Sequence, residues 1–233
     1  DATPPVMAIM RATNEKNIDP GLGTPISAWK DRLAKIFSGF MVTDKDLAQA
    51  RYIYVGQEGK EVVRVDNING EVKRIAEADL QLKGHRDYMQ ITKGLPNGHV
   101  YVSSINYNRE NGHIQIPYVS TYRVSKLVRD PYGEPFAVLI VNYYADDLLN
   151  GLVENTADIF DVYLLNADQQ FIYHPNEAYR FSFESGDARF WKQEFSTNQA
   201  MDQIDIFDFM SLPEKLYLKK VIQFSNGIDM KPL

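Results

Sequence analysis

Apolar residues recur at spacings of three and four through Trp29, Leu33, Ile36, Phe37 and Phe40, the stripe of a helix that buries one face. Thr24 followed by Pro25 supplies a start for it, a hydroxyl at the N-cap and a proline at the first helical position. Val6, Ile9 and Met10 mark another helical face within the first 20 residues, interrupted by Pro4, Pro5 and Pro20. Thr43 and Asp46 stand at capping-box spacing, which predicts one more short helix through Ala50.

From Arg51 the texture changes to Tyr, Ile and Val runs between turn signals. Residues 51–55, 61–66 and 71–75 read as strands, joined by a turn at 57–59 and by Asn69-Gly70, whose residues both tolerate positive φ. Residues 79–92 read as helix or loop. Three further strands follow at 100–107, 114–128 and 136–144, with turns at Asn111-Gly112 and 131–133. Antiparallel strands with helices outside make an α+β layer. Beyond residue 150, segments 160–165 and 171–174 form a hairpin around a turn at 166–169, and 216–224 is one more strand. The stretch 174–212 between them is irregular.

Charge divides the chain. Residues 1–149 carry 18 basic and 18 acidic side chains and residues 150–233 carry 7 and 13, so the whole net charge of -6 lies in the last third. This predicts a boundary near residue 150, with one domain bearing an acidic face as the alternative. The acidic balance excludes the basic surface that nucleic acid requires. The absence of cysteine removes disulfides, thiolate metal sites and cysteine nucleophiles, and suits cytosol and periplasm alike. The longest apolar run, residues 136–141, is six residues, against the ~20 of a membrane-spanning helix. The chain opens at Asp1 and reads as a segment of a longer protein.

No catalytic constellation emerges. His85, His99, His113 and His174 are isolated, and no nucleophile elbow or phosphate-binding loop occurs; Gly21-Leu22-Gly23 lacks a third glycine and a preceding strand. Residues 65–70 imitate a calcium loop, but Val65 stands at the first ligand position and a hairpin turn is the better reading. No metal and no cofactor is expected. Polar groups do gather where a cavity could form: Lys83, Arg86 and Tyr88 in one segment, Tyr101, Ser103 and Tyr107 on one strand face, Thr121, Arg123 and Ser125 on another, and Asn142 with Tyr144 in an otherwise apolar strand. A small polar or anionic ligand, its carboxylate taken by Arg86 or Arg123, would satisfy them. So would internal pairing, of Arg64 with Asp66 or Glu61 and of Arg123 with Asp79. Asp202, Asp205 and Asp208 read as a solvated face.

Residues 51–53, 61–65, 79–83, Arg86-Asp87-Tyr88, 100–103, Ile116-Pro117 through Tyr122-Arg123, and Val141-Asn142 together resemble the double PDC, or double Cache (dCache), extracytoplasmic sensor domains of bacterial transmembrane receptors. Residues 164–168 with Tyr173-His174-Pro175 resemble the opening hairpin of that family's membrane-proximal module. The resemblance spans about 170 residues. It implies tandem PAS-like (PDC) modules with antiparallel sheets on a long N-terminal helix: a helical stalk at 1–50, a membrane-distal module at 51–149 and a smaller membrane-proximal module at 150–233. It further implies a non-catalytic periplasmic segment, homodimerisation through the N-terminal helix, and tethering by flanking membrane helices. The expected parent is a sensor histidine kinase, with a diguanylate cyclase, a chemoreceptor or a ligand-free interaction module as alternatives. The positions that match the family's ligand-binding element are Arg86, Tyr88 and Met89, then Asn142; Arg86 is the expected anion anchor, with Tyr88, Tyr101, Ser103, Tyr118, Arg123 and Asn142 as its cavity neighbours. Amino-acid-binding members place an aspartate where this chain has Asn142, which cannot neutralise an ammonium group. Ser120 and Gln169 depart from the family's usual proline and glycine.

Overall fold

A computed structural model describes residues 4–110, 112–154, 161–194, 208–212 and 215–219. The chain opens with α1 (Pro4–Asn14), a short hairpin of β1 (Ile18–Asp19) and β2 (Thr24–Pro25), and α2 (Ile26–Thr43). The strands β3 (Leu47–Tyr54), β4 (Glu61–Ile68) and β5 (Glu71–Arg74) follow as a meander. After a short 3-10 turn at Glu77–Asp79 come α3 (Asp87–Lys93), β6 (Val100–Val102), β7 (Asn106–Tyr107), β8 (Arg109–Glu110), β9 (His113–Ile114), β10 (Ser120–Arg129), β11 (Pro135–Tyr144) and α4 (Asp146–Glu154). The remaining described elements are β12 (Leu164–Leu165), β13 (Phe171–Tyr173), 3-10 turns at Glu177–Tyr179 and Ser182–Glu184, α5 (Trp191–Glu194), β14 (Asp208–Leu212) and β15 (Lys215–Lys219). The chain forms two compact units that divide at Leu148 and Leu149.

In the first unit seven strands form one antiparallel sheet in the order β5-β4-β3-β11-β10-β6, with β7 also paired to β10. Alternation along the strands gives the sheet two different faces. On one, Ala50, Tyr52, Val63 and Val65 pack against Val6 and Ile9 of α1 and Trp29, Leu33 and Phe37 of α2. This is the larger core, and it accounts for the apolar stripe of α2. On the other face Ile53, Leu127, Val138 and Ile140 meet Tyr88 and Met89 of α3.

The second unit, taken by itself, contains the hairpins β12-β13 and β14-β15. His174 is buried there, within 5.1 Å, ring to ring, of Tyr163, Phe171 and Tyr179. Its Nδ1 accepts the Asn176 backbone N–H at 2.9 Å, and burial holds its pKa below the ordinary histidine value. Of the elements expected from sequence, residue 160 of the hairpin, 220–224 of the last strand, Asp202 and Asp205 of the acidic face, and Asn111 of the turn in the first module lie outside the described residues.

Three local expectations are corrected. The short helix foreseen from Thr43 to Ala50 is instead the start of β3: Leu47, Gln49 and Ala50 are in register with β11 or β4 on both sides, and pairing at the centre of a sheet overrides a weak capping signal. Thr24 does not cap α2. The cap is Pro25, with no side-chain bond, while the Thr24 hydroxyl donates to the Leu22 carbonyl at 3.4 Å. The strand expected over 114–128 begins only at Ser120, because His113 and Ile114 turn back to pair with Glu110 and Arg109.

Candidate functional site

The face covered by α3 changes character along its strands. On β3 the alternation that exposes Ile53 to the apolar cluster continues to Arg51 and Gln49, and on β11 Val138 and Ile140 are followed by Asn142. Opposite them in register stand Arg64 and Asp66 on β4 and Arg123 on β10. One half of the face is therefore a hydrocarbon core and the other a buried polar network.

Arg51, 3% exposed, donates from Nη2 to Asn142 Oδ1 at 2.8 Å and more weakly from Nη1 to the Tyr88 hydroxyl at 3.5 Å. Its Nη1 also lies 3.6 Å from Glu61 Oε1. Asn142 Nδ2 donates to Gln49 Oε1 at 2.9 Å. Arg64 holds Asp66 through Nε and Nη2, at 2.8 and 2.7 Å, and reaches Glu110 with its other edge. Arg123 donates from Nη1 to Asn106 Oδ1 at 2.8 Å and from Nη2 to Asn108 Oδ1 at 3.5 Å. The Tyr88 ring lies 5.7 Å from the Arg51 guanidinium and 6.0 Å from that of Arg123. Lys83 Nζ donates to Gln81 Oε1 at 2.6 Å.

The strap carrying Gln81 and Lys83 is fastened by backbone. Lys83 N–H donates to the Gly59 carbonyl at 2.8 Å, Gly84 N–H to Glu58 at 3.0 Å, and Glu61 N–H to Gln81 at 3.0 Å. Gly59 has φ +71°, and a Cβ built there would fall 2.2 Å from Gly84 N. Only glycine permits that approach.

Crowding of charge perturbs the titratable groups. Burial, and then the neighbouring Arg51, pull Lys83 down to about 8. Burial alone would raise Glu110, but Arg64, the amides of Gln49 and Gln81, and Lys83 outweigh it and hold its carboxyl at about 2. For Arg64 burial works against the charge, and the hydrogen bonds and charge of Asp66 push its pKa above the ordinary arginine value. On this face of the sheet, Arg51 Nε, Glu61 Oε1 and Thr121 Oγ1 are among the buried polar atoms of the described residues without a hydrogen-bond partner. A cleft of about 440 Å³ lined by Arg64, Ile75, Ala78, Asp79, Leu80 and Gln81 opens beside the network.

Of the residues singled out by sequence, Tyr88, Arg123 and Asn142 converge here. Tyr101 flanks them in the apolar half, and the Ser103 hydroxyl accepts the Arg123 backbone N–H at 2.9 Å. Arg86 stands at the edge: it is the N-cap of α3, and among the described residues its hydrogen bonds are those of its backbone. Tyr118 is 65% exposed and stacks on Tyr107 at 4.8 Å. Arg64 pairs with Asp66 as expected, whereas Arg123 takes Asn106 and Asn108 rather than Asp79. Gln49, Arg51, Lys83 as a buried amine, Asn106, Asn108 and Glu110 were not found as site residues. Only the period-two alternation from Ile53 back to Gln49 could have pointed to any of them.

An antiparallel sheet with N-terminal helices on one face and a helix-capped polar network on the other is a fold that this chain shares with solved sensory domains. It is the architecture of a sensory box/GGDEF family protein domain from Vibrio parahaemolyticus, 17% identical, which matches over 93% of this chain and 78% of that one with a TM-score of 0.65. The extracellular domain described as that of histidine kinase vpHK1S-Z8 is also 17% identical, over 93% of this chain and 74% of that one, with a TM-score of 0.62. The periplasmic sensory domain of the Campylobacter jejuni chemoreceptor Tlp1 is 16% identical over 74% of this chain and 63% of that one, with a TM-score of 0.53. At these identities the likeness is one of fold. No family model and no curated protein matches the sequence.

Proposed function

We propose that this chain is the extracytoplasmic ligand-sensing domain of a membrane-bound signalling receptor, of histidine kinase type, with a diguanylate cyclase or a chemoreceptor as the other candidate parents. The observation that carries the reading is the buried network around Arg51, Tyr88, Arg123 and Asn142. A stable sheet does not require three arginines and a lysine on one buried face, because burying charge is costly unless it is paired. The fold shared with sensor domains supports the same role. In this reading the first unit is the membrane-distal module and the second the membrane-proximal one. The ligand is small and polar or anionic, and it contacts Tyr88, Tyr101, Ser103, Arg123 and Asn142, with Arg86 at the rim. The N-terminal helices lie on the opposite face of the same sheet, so a shift of β3 or β11 reaches them directly. Coupling of this kind typically amounts to ~1–3 kcal/mol.

The test is a melting-temperature screen against carboxylates, amino acids, polyamines and sugars. A ligand at 100 times its dissociation constant stabilises by ~2.7 kcal/mol, a shift of about 5–10 °C for a chain of this size. A hit that disappears in Arg123→Ala supports the sensor reading. Silence across the panel favours the second reading, a protein-interaction module whose polar network is internally satisfied, as the pairing of Arg64 with Asp66 and Glu110 already is.

A further inference from the structure

Glu110 belongs to β8, whose partner among the described strands is β9 and not the main sheet. Its carboxylate nevertheless reaches into the network and is met there by five N–H donations. Arg64 gives two, Nη2 to Oε1 at 3.2 Å and Nη1 to Oε2 at 3.3 Å. Gln49 Nε2 and Asn108 Nδ2 donate to Oε1 at 3.0 and 3.3 Å, and Gln81 Nε2 to Oε2 at 3.1 Å. The orientation of two of these amides is dictated by the rest of the network. Gln49 Oε1 accepts from Asn142 and Gln81 Oε1 accepts from Lys83, so each has only its NH₂ left for Glu110.

The donors address the two oxygens and leave the remainder of the side chain unrecognised. An arginine fork and three amides around a planar group form the arrangement that takes any carboxylate. Arg64 is 6% exposed at its side chain and Glu110 27%, so the cradle is buried while the stem enters from outside. Arg64 and Gln81 also line the 440 Å³ cleft, which gives a solute a way in.

We propose that these donors form a carboxylate-binding site that the chain fills with its own Glu110, and that a small carboxylate solute acts by displacing Glu110 and so unfastening the β8-β9 hairpin from the sheet. The proposal goes beyond the sensor reading, on which it rests for its consequence: it adds a second site in the same network, at Gln49, Arg64, Gln81 and Asn108, and names the carboxylate class that this site takes.

The experiment is an acetate titration of the wild-type chain and of Glu110→Ala, followed by melting temperature, with chloride at matched ionic strength. Vacating the cradle removes the internal competitor. Glu110→Ala should therefore respond at roughly tenfold lower acetate than the wild type, with a rise of about 5–10 °C near saturation. Glu110→Gln, which still occupies the cradle but sets an NH₂ against its N–H donors, should respond at acetate concentrations between those of the wild type and Glu110→Ala. Absence of an acetate effect on Glu110→Ala, or an equal effect of chloride, overturns the proposal. Should Glu110→Ala fail to fold in plain buffer, recovery in acetate supports it. The wild-type chain supplies an independent reading: acetate should shift the side-chain amide NMR signals of Gln49, Gln81 and Asn108 together with the Glu110 carboxyl, and unmoved signals overturn it. A solute from the wider panel that depends on Arg123, with acetate ignored by Glu110→Ala, would sink the cradle and leave the sensor reading standing. Acetate binding in the cradle with the rest of the panel silent, and with the N-terminal helices unmoved on binding, would do the reverse.

Discussion

The Arg51 guanidinium donates to the Asn142 side-chain oxygen at 2.8 Å, joining residues 91 positions apart at the centre of the sheet. Both are almost fully buried, at 3% and 1% exposure, and Asn142 passes the bond on to Gln49. A neutral amide therefore links a buried cation to a second amide.

Replacing Asn142 by leucine removes an acceptor from Arg51 and a donor from Gln49 in one step. A buried group left unsatisfied costs ~1–3 kcal/mol and more when charged, so Asn142→Leu is expected to lose about 2–4 kcal/mol in urea denaturation. Asn142→Asp keeps an acceptor facing Arg51 and should lose less. Equal losses for both variants would show that the amide bond to Gln49, and not the contact with Arg51, dominates.

Glu110 makes stability fall in acid. Its folded pKa of about 2 lies below the ordinary glutamate value of 4.5, so its contribution is fully present above about pH 4.5 and is lost as pH falls toward 2. The full shift would correspond to ~3 kcal/mol; with about a quarter of the side chain open to solvent, roughly 2 kcal/mol is the expectation. Denaturation curves between pH 5 and pH 2.5 should be steeper in pH for the wild type than for Glu110→Gln. Parallel curves would remove Glu110 from the acid response.

Lys83 acts in the opposite range. Its folded pKa of about 8 is below the ordinary lysine value of 10.5, so the folded chain disfavours the proton that the unfolded chain keeps, and stability rises between about pH 8 and 10.5. Below pH 8 the charged amine is a standing cost. Lys83→Met should then be more stable than the wild type by about 1–3 kcal/mol at pH 7, with the difference shrinking by pH 10. A wild type that is more stable at pH 7 would mean that the bond to Gln81 outweighs desolvation.

Gly59 and Gly84 are in backbone contact, and a Cβ on Gly59 would lie 2.2 Å from Gly84 N at a φ of +71°. Gly59→Ala should cost ~2 kcal/mol or more through strain and displacement. Amide exchange at Lys83 and Gly84, whose N–H groups fasten the strap, should quicken more than exchange in β10 and β11. Uniform quickening across the sheet would mean that the contact supports the fold as a whole.

Much of the fold was legible because its cause is local. The α2 stripe, the Asn69-Gly70 turn with both residues at positive φ, and the paired runs of β10 and β11 follow from residue spacing and turn chemistry, which act within a few positions of the chain. Alternation also placed Thr121, Arg123 and Ser125 on one face correctly. The start of β3 was misread for a related reason: Thr43 and Asp46 are a local signal, whereas the two neighbouring strands that claim Leu47 to Ala50 come from residues 61–68 and 135–144.

The amino-acid sequence by itself determined most of the helices and strands, with 47–50 and 114–119 as exceptions, the α+β layer, the charge division near residue 150, and the presence of polar residues that a buried face would have to satisfy. Only the tertiary structure decided their partners. Gln49, Arg64, Gln81 and the pair Asn108 and Glu110 come from four separate stretches and meet because β3 and β4 are adjacent in the sheet while the strap and the β8-β9 hairpin fold over them. Spacing along a chain carries a period of 2 or 3.6 residues and no information about which distant side chain lies across a strand. A carboxylate cradle assembled over 61 residues, from Gln49 to Glu110, exists only once the sheet has closed.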